Sequence, residues 1–289
     1  MPTGSRHGML TVKCGRIVWV AAIAASFASP AFPQSAIQAR LVGAPMVAES
    51  EKWIVGGALA YATIKGSFNQ YNISSAHSGE GVVAMEGSDW SAFAAYGDIA
   101  VIYAERNAKG QGEAYVIEPN SGSFTDSIHS ITFSQREREL SLRWLARRMT
   151  TRFFTPYAVA GYTETKFEQS ELINVGGGTG GGVRQFSYAY KGALAGIGAI
   201  APLGERYGFR GQGALKFYRG TIRENGAVRS SAEGTGIGTD FFVSAYANVL
   251  VPKYITAEVG YRRYTLEGSS EADVTRNVLF ATLGLTYRF

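Results

Sequence analysis

The chain has 289 residues, a net charge of +5 and one cysteine, with 36 glycines, 16 tyrosines and 16 phenylalanines. So many aromatics exclude a disordered chain, and so much glycine without a collagen period implies many turns. Lys and Arg are spread along the chain rather than gathered with aromatics into a stripe, so nucleic-acid binding is not expected.

Arg6, Lys13 and Arg16 precede an apolar run from Ile17 to Phe27. A run of about ten residues is too short to span a bilayer and has the length of a signal-peptide core. Ser29-Pro30-Ala31 satisfies the small-x-small cleavage rule, and Ala36 is the competing site. Residues 1–36 are therefore expected to be an export signal of a Gram-negative cell, with Met9 as an alternative start. Cys14 lies inside it, behind Lys13, which disfavours lipidation and leaves the mature chain without thiol chemistry. Residues 37–52 read as a short periplasmic leader and 53–289 as one domain. No later apolar run reaches about 18 residues, so a membrane-bound form must cross with strands closed into a barrel.

Strands are expected to start near Trp53, Val82, Ile99, Ser127, Arg152, Arg184, Tyr207, Thr239, Tyr254 and Thr275. The fold class is all-β: a transmembrane antiparallel up-and-down barrel of about ten strands, with eight as the alternative because Val82 to Ser130 is ambiguous. Period-two alternation carries this reading. Before Arg147, Leu140, Leu142, Trp144 and Ala146 oppose Glu137, Glu139, Arg143 and Arg147. Phe153, Tyr157 and Val159 oppose Glu164 and Lys166. Tyr207, Phe209, Leu215 and Phe217 oppose Arg210, Gln212, Lys216 and Tyr218. Phe241, Val243, Ala245 and Ala247 oppose Ser244, Tyr246 and Asn248. Ile255, Ala257, Val259 and Tyr261 oppose Thr256, Glu258 and Arg262. At the end, Leu279, Ala281, Leu283, Leu285, Tyr287 and Phe289 oppose Thr282, Gly284, Thr286 and Arg288.

Connections alternate in length. Gly97-Asp98, Met149 to Thr151, Leu203 to Arg206 and Pro252-Lys253 read as short turns. Gly66 to Asp89, Asn107 to Asp126, Ser170 to Arg184, Arg223 to Thr239 and Gly268 to Thr275 read as long external loops. Aromatics at strand ends (Trp53, Trp90, Phe153, Tyr157, Tyr207, Tyr254, Tyr287, Phe289) read as interfacial girdles.

The interior of so small a barrel is filled by side chains, and buried charges must pair. Glu137, Glu139, Arg143, Arg147, Glu164, Lys166, Arg210, Lys216, Glu258, Arg262 and Arg288 are therefore expected to form an ion-pair network that plugs the lumen. A narrow ion path through them is the alternative. The glycine-rich VGGGTGGGV at 175–183 lacks the Lys and helix of a phosphate loop and reads as a loop tip. His77 and His129, the histidines of the mature chain, offer no metal-ligand spacing. No cofactor, metal or catalytic residue is expected.

The segments FTPYAVAGY, GIGAIAPLGERYGFRGQGALKFY, ITAEVGYRRY and LGLTYRF resemble the small outer-membrane barrels of the OmpA-like and opacity-protein superfamily. The resemblance implies an outer-membrane barrel set among lipid and lipopolysaccharide. It also implies that Tyr287 and Phe289 are read as an assembly signal by the outer-membrane assembly machinery. Asp126 and His129, with Asp89 and Asp240 near external strand ends, invite comparison with omptin proteases. The Asp-x-x-His spacing and the lack of a paired Asp-x-Asp depart from that family, and His129-Ser130 does not supply the His-x-Ser of a lipid A deacylase. The expected function is non-enzymatic: a barrel whose surface loops bind a partner or which stabilises the envelope. A narrow passive channel is second and an outer-membrane hydrolase third.

Overall fold

The computed structural model describes residues 53–70, 78–120, 123–151, 153–173, 182–203, 206–225, 230–250, 254–268 and 272–288. Ten strands follow in chain order: β1 (Trp53–Gln70), β2 (Ser78–Tyr96), β3 (Ile99–Asn120), β4 (Ser123–Leu145), β5 (Thr155–Ile173), β6 (Gly182–Pro202), β7 (Tyr207–Asn225), β8 (Ser230–Leu250), β9 (Tyr254–Gly268) and β10 (Ala272–Arg288). Each pairs antiparallel with its chain neighbour, and β1 pairs with β10 to close the barrel. Closure leaves no free sheet edge. Among the described residues a 3-10 turn, Arg147–Met149, lies between β4 and β5. No described helix is long and apolar enough to cross a membrane.

The β2–β3 connection is the two-residue turn Gly97-Asp98, and Gly97 has φ +59°. Such hairpin turns need left-handed backbone, which glycine adopts without strain. Elsewhere a glycine makes room: a Cβ on Gly198 of β6 would collide with the Tyr157 ring, whose hydroxyl reaches past β6 to Gly211 and Gln212 of β7.

The strands outrun the sequence reading. Asn107 to Asp126 was expected as a loop, yet β3 and β4 pair residue for residue up to Asn120 and Ser123. Gly66 to Asp89 likewise lies largely within β1 and β2, and Arg223 to Thr239 within β7 and β8. Lys109, Gln111 and Glu113 are exposed on β3, and such polarity reads as loop composition.

Call the end carrying Trp53 and Arg288 the lower end. In the lower barrel the outer face is apolar: Leu59, Leu140, Leu142, Leu215, Val243 and Leu283 are exposed. Aromatics bound this band below (Trp53, Tyr96, Trp144, Tyr207, Tyr287) and above (Tyr61, Trp90, Tyr162, Phe217), all exposed on the outer face. Trp53 to Tyr61 spans nine residues and Tyr207 to Phe217 eleven. A tilted transmembrane strand needs about 9–11. Above the band the pattern inverts. Val83, Met85, Ile131, Phe133, Phe167, Phe186, Tyr190 and Tyr264 turn inward as an aromatic core, and the outer face becomes polar.

On β5 the expected faces are exchanged along the whole strand. Thr163, Thr165 and Phe167 are buried, while Lys166 is exposed and Glu164 partly so. Glu164 and Lys166 therefore face outward, above the apolar band. Tyr157 and Val159, expected on the outer wall, are buried in the lumen instead. Ala158, Ala160 and Tyr162 take the outer positions.

Candidate functional site

The charged side chains of the lumen gather between the two apolar parts of the interior. Below them lie Ile54, Phe93, Ala95, Ala100 and Ile102, and beside these Leu145, Tyr157, Ile200 and Tyr246. Above them sits the aromatic core. Inward positions of β1–β3 are mostly small: Ala58, Ala60, Ala62, Ser91, Ala104 and Ala108. Long side chains from β4, β7, β8 and β9 occupy the space those alanines leave.

Arg262 of β9 is the centre. Its Nη1 and Nη2 donate to the two carboxylate oxygens of Glu137 on β4 at 3.0 and 2.8 Å. Its Nε donates to Oδ1 of Asp240 on β8 at 2.8 Å. Lys216 of β7 places Nζ 3.1 Å from Glu137 Oε1 and 3.0 Å from Asp240 Oδ2. Arg106 of β3 reaches Glu137 and Glu139 at 3.4 and 3.2 Å. Three carboxylates thus meet three cations. Desolvating each ion costs several kcal/mol, and only mutual pairing with good geometry offsets this. The ring of Tyr264 lies under both Lys216 and Arg262, at 5.3 and 5.0 Å. Gln135 donates to its hydroxyl and so ties the cluster to the aromatic core above.

A second group lies nearer the lower end. Arg210 Nη2 donates to Glu258 Oε1 at 2.6 Å, and Ser244 donates to the same oxygen. Arg210 also stacks over Phe242 at 4.7 Å, and Arg143 over Tyr157 at 5.6 Å. Between the two groups and the alanine wall remains a cavity of about 130 Å³, lined also by Asp89. That volume suits a few waters bridging polar groups. Among the described residues, no three His, Cys, Asp or Glu side chains group as metal ligands.

Of the residues singled out from sequence, Glu137, Glu139, Arg143, Arg210, Lys216, Glu258 and Arg262 are buried in the lumen. Glu164 and Lys166 stand on the outer wall, as above. Arg147 lies outside the lumen: the strand ends at Leu145, and the 3-10 turn aims its guanidinium at Asp98 and the Gly97 carbonyl. Tyr287 is exposed on the outer face, while Phe289 and the side chain of Arg288 lie outside the described residues. So do residues 1–52, His77, the tip at 174–181 and the side chains of Asp126 and His129, whose backbones belong to β4.

Sequence reasoning missed Arg106, Asp240, Asp89 and Arg276. Asp89 and Asp240 were placed near external strand ends, yet they sit within β2 and β8 and line the cavity. The parity of Asp240 with Phe242 and Ser244 was the available signal. Arg276 is fully buried among aromatics, 5.3 and 5.4 Å from the rings of Phe133 and Phe167, and donates to the carbonyls of Ser67 and Thr275.

No protein-family model matches the chain, and no curated protein matches it in sequence. Among solved structures, the outer-membrane protease OmpT of Escherichia coli is similar at TM-score 0.56 and 12% identity, covering 83% of this chain and 98% of that one. The attachment invasion locus protein Ail of Yersinia pestis aligns at TM-score 0.34 and 10% identity, covering 82% and 100%. At such identity the likeness to OmpT speaks to fold and not to chemistry. The chain has the closed ten-stranded antiparallel fold of an outer-membrane β-barrel.

Proposed function

We propose that this chain is exported through its N-terminal signal and resides in the outer membrane of a Gram-negative cell. There it is a closed, non-enzymatic barrel. Its lower part is anchored in the bilayer, and its long upper part stands as a rigid surface that binds a partner or stabilises the envelope. The outward apolar band between two aromatic rings supports the location.

The observation that carries the closed reading is the packing of described side chains inside the barrel. Glu137, Asp240, Lys216 and Arg262 are paired among themselves across it, with apolar side chains below and an aromatic core above. An ion path needs polar lining that water can follow from end to end. The buried Phe133, Phe167, Tyr190 and Tyr218, packed ring against ring at 5.3 to 6.2 Å, interrupt it. The channel reading is accordingly the weaker one.

The test is reconstitution into planar bilayers beside fractionation of cells. The protein is expected in the outer-membrane fraction, with heat-modifiable migration on gels, and without steady conductance. Discrete conductance steps from folded protein would favour the channel. Recovery as a soluble periplasmic monomer would sink the membrane reading.

A further inference from the structure

The upper aromatic core holds a cation that no described residue neutralises. Arg276 of β10 points inward and is fully buried. Its stem lies over Gly66 of β1, where a Cβ would come within 2.5 Å of Cδ and 2.6 Å of Nη1. Glycine at 66 leaves the stem its space. Nη1 is in use: it donates to the carbonyls of Ser67 and Thr275 at 2.9 and 3.0 Å, which orients the guanidinium. Nε and Nη2 are buried and have no hydrogen-bond acceptor. These two nitrogens form one edge of the guanidinium, and that edge is a fork that takes two oxygens of a carboxylate side by side.

Among the described residues no acid reaches this fork. The titratable groups that act on Arg276 are the phenols of Tyr264 and Tyr190. The carboxylates of the ion cluster below are already engaged, Glu137 and Asp240 with Arg262 and Lys216, and Glu139 with Arg106. The rings of Phe133 and Phe167 lie 5.3 and 5.4 Å from the guanidinium carbon. Such ring contacts offset only part of the cost of taking a full charge out of water. A buried cation with an open fork is half of an ion pair.

We propose that Arg276 anchors a binding site for a small monocarboxylate, held by Nε and Nη2 inside the aromatic core. The fork prefers two coplanar oxygens to a single spherical anion. The aromatic surroundings accept an apolar substituent and disfavour a second charge, so formate or acetate suits the site and a dianion does not. The site lies beyond the ion cluster as seen from the lower end, so filling it from above needs no open lumen.

The test uses the full chain refolded in detergent micelles, with sodium fluoride as supporting salt at constant ionic strength. The probes are formate, acetate and chloride. The readouts are the melting temperature of the folded barrel and the line width of carbon-13 formate in its NMR spectrum. For the parent, both carboxylates should raise the melting temperature in a saturable way, formate should broaden, and chloride should act far less. Arg276→Lys keeps the charge without the fork. Its affinity for both carboxylates should fall about tenfold or more, and the preference over chloride should vanish. Arg276→Met removes the charge and keeps much of the stem. Without carboxylate it should melt at the parent's temperature or above, because a stranded cation is gone, and no probe should move it. A guanidinium that only braces the Ser67 and Thr275 carbonyls would instead make Arg276→Met melt lower whatever anion is present, and that result overturns the proposal. If Arg276→Met does not refold, the selectivity of Arg276→Lys decides. Equal shifts with chloride and the carboxylates, no saturable shift in the parent, or unchanged affinity in Arg276→Lys likewise overturns it.

Discussion

The lower and upper parts of the barrel obey opposite rules on the same strands. On β4, Trp144, Leu142 and Leu140 point out and Glu139 and Glu137 point in. A few residues further on, Phe133 and Ile131 point in and Arg136, Thr132 and Ser130 point out. The backbone alternation is unbroken; only the chemistry of the two faces exchanges. Hydrocarbon outside favours apolar side chains on the wall and leaves the lumen as the place where polar side chains can go. Water outside makes the interior the apolar side, as in a soluble sheet. The ion cluster around Arg262 lies where one regime gives way to the other, with the aromatic core above it and the smaller apolar clusters of the lower lumen below.

The largest test falls at this junction. Glu137 is fully buried and faces Arg262, Lys216 and Arg106. Glu137→Gln keeps the shape and removes the charge, leaving three cations against two remaining acids. Breaking a buried pair from one side costs about 3–5 kcal/mol. Urea unfolding of the refolded protein in lipid should show this loss, and adding Lys216→Met should recover part of it. A Glu137→Gln protein as stable as the parent would mean that these groups are hydrated and the lumen is open.

Much of the lower barrel was legible in the sequence, because long apolar residues alternate there with charged or small ones. β7 and β10 show it best: Phe209, Leu215 and Phe217 out against Arg210 and Lys216 in, and Leu283 and Leu285 out against Thr282 and Thr286 in. A single rule, apolar side outward, then failed on β5, where Thr163, Thr165 and Phe167 fill the interior beside outward Glu164 and Lys166. Nothing local marks the height at which the rule inverts, since that height depends on where neighbouring strands meet the bilayer edge. The same blindness hid Arg106, whose partners Glu137 and Glu139 lie across the ladder on β4. It also turned the upper ladder of β3 and β4 into an expected loop.

A set of arginine substitutions compares the two regimes directly. Leu283 is exposed at the middle of the apolar band, opposite Leu59 on β1 and Ala257 on β9. Leu283→Arg should cost about 2–4 kcal/mol if that face meets hydrocarbon. Thr282→Arg turns the cation inward towards Glu258, its ladder partner, and should cost less, the loss being one of packing. Thr132→Arg, on the outer face of the upper barrel, should stay within about 0.5 kcal/mol of the parent. Equal losses at positions 283 and 132 would erase the distinction between the two parts.

The smallest effect is expected just above the boundary, at Glu105. Like Glu137 it is a glutamate with more than one cationic partner, and both have little exposed surface. The coverings differ. Glu137 is enclosed by the lumen, whereas Glu105 is covered on the outer wall by Arg136, Arg138, Tyr103 and Asn107. The side chains of Arg136 and Arg138 are themselves 48% and 43% exposed. When the carboxylate is neutralised, both guanidiniums can turn to water, so no charge is stranded. Exposed ion pairs contribute about 0–1 kcal/mol. Glu105→Gln should therefore lower stability by less than about 1 kcal/mol, and added salt should shrink the difference because the pairs are screened. The same Glu-to-Gln change would then differ several-fold in cost between two positions whose pairing looks alike on paper. A loss at Glu105 as large as that at Glu137, unmoved by salt, would place this wall out of reach of water and put the upper edge of the membrane higher than the aromatic ring marks it.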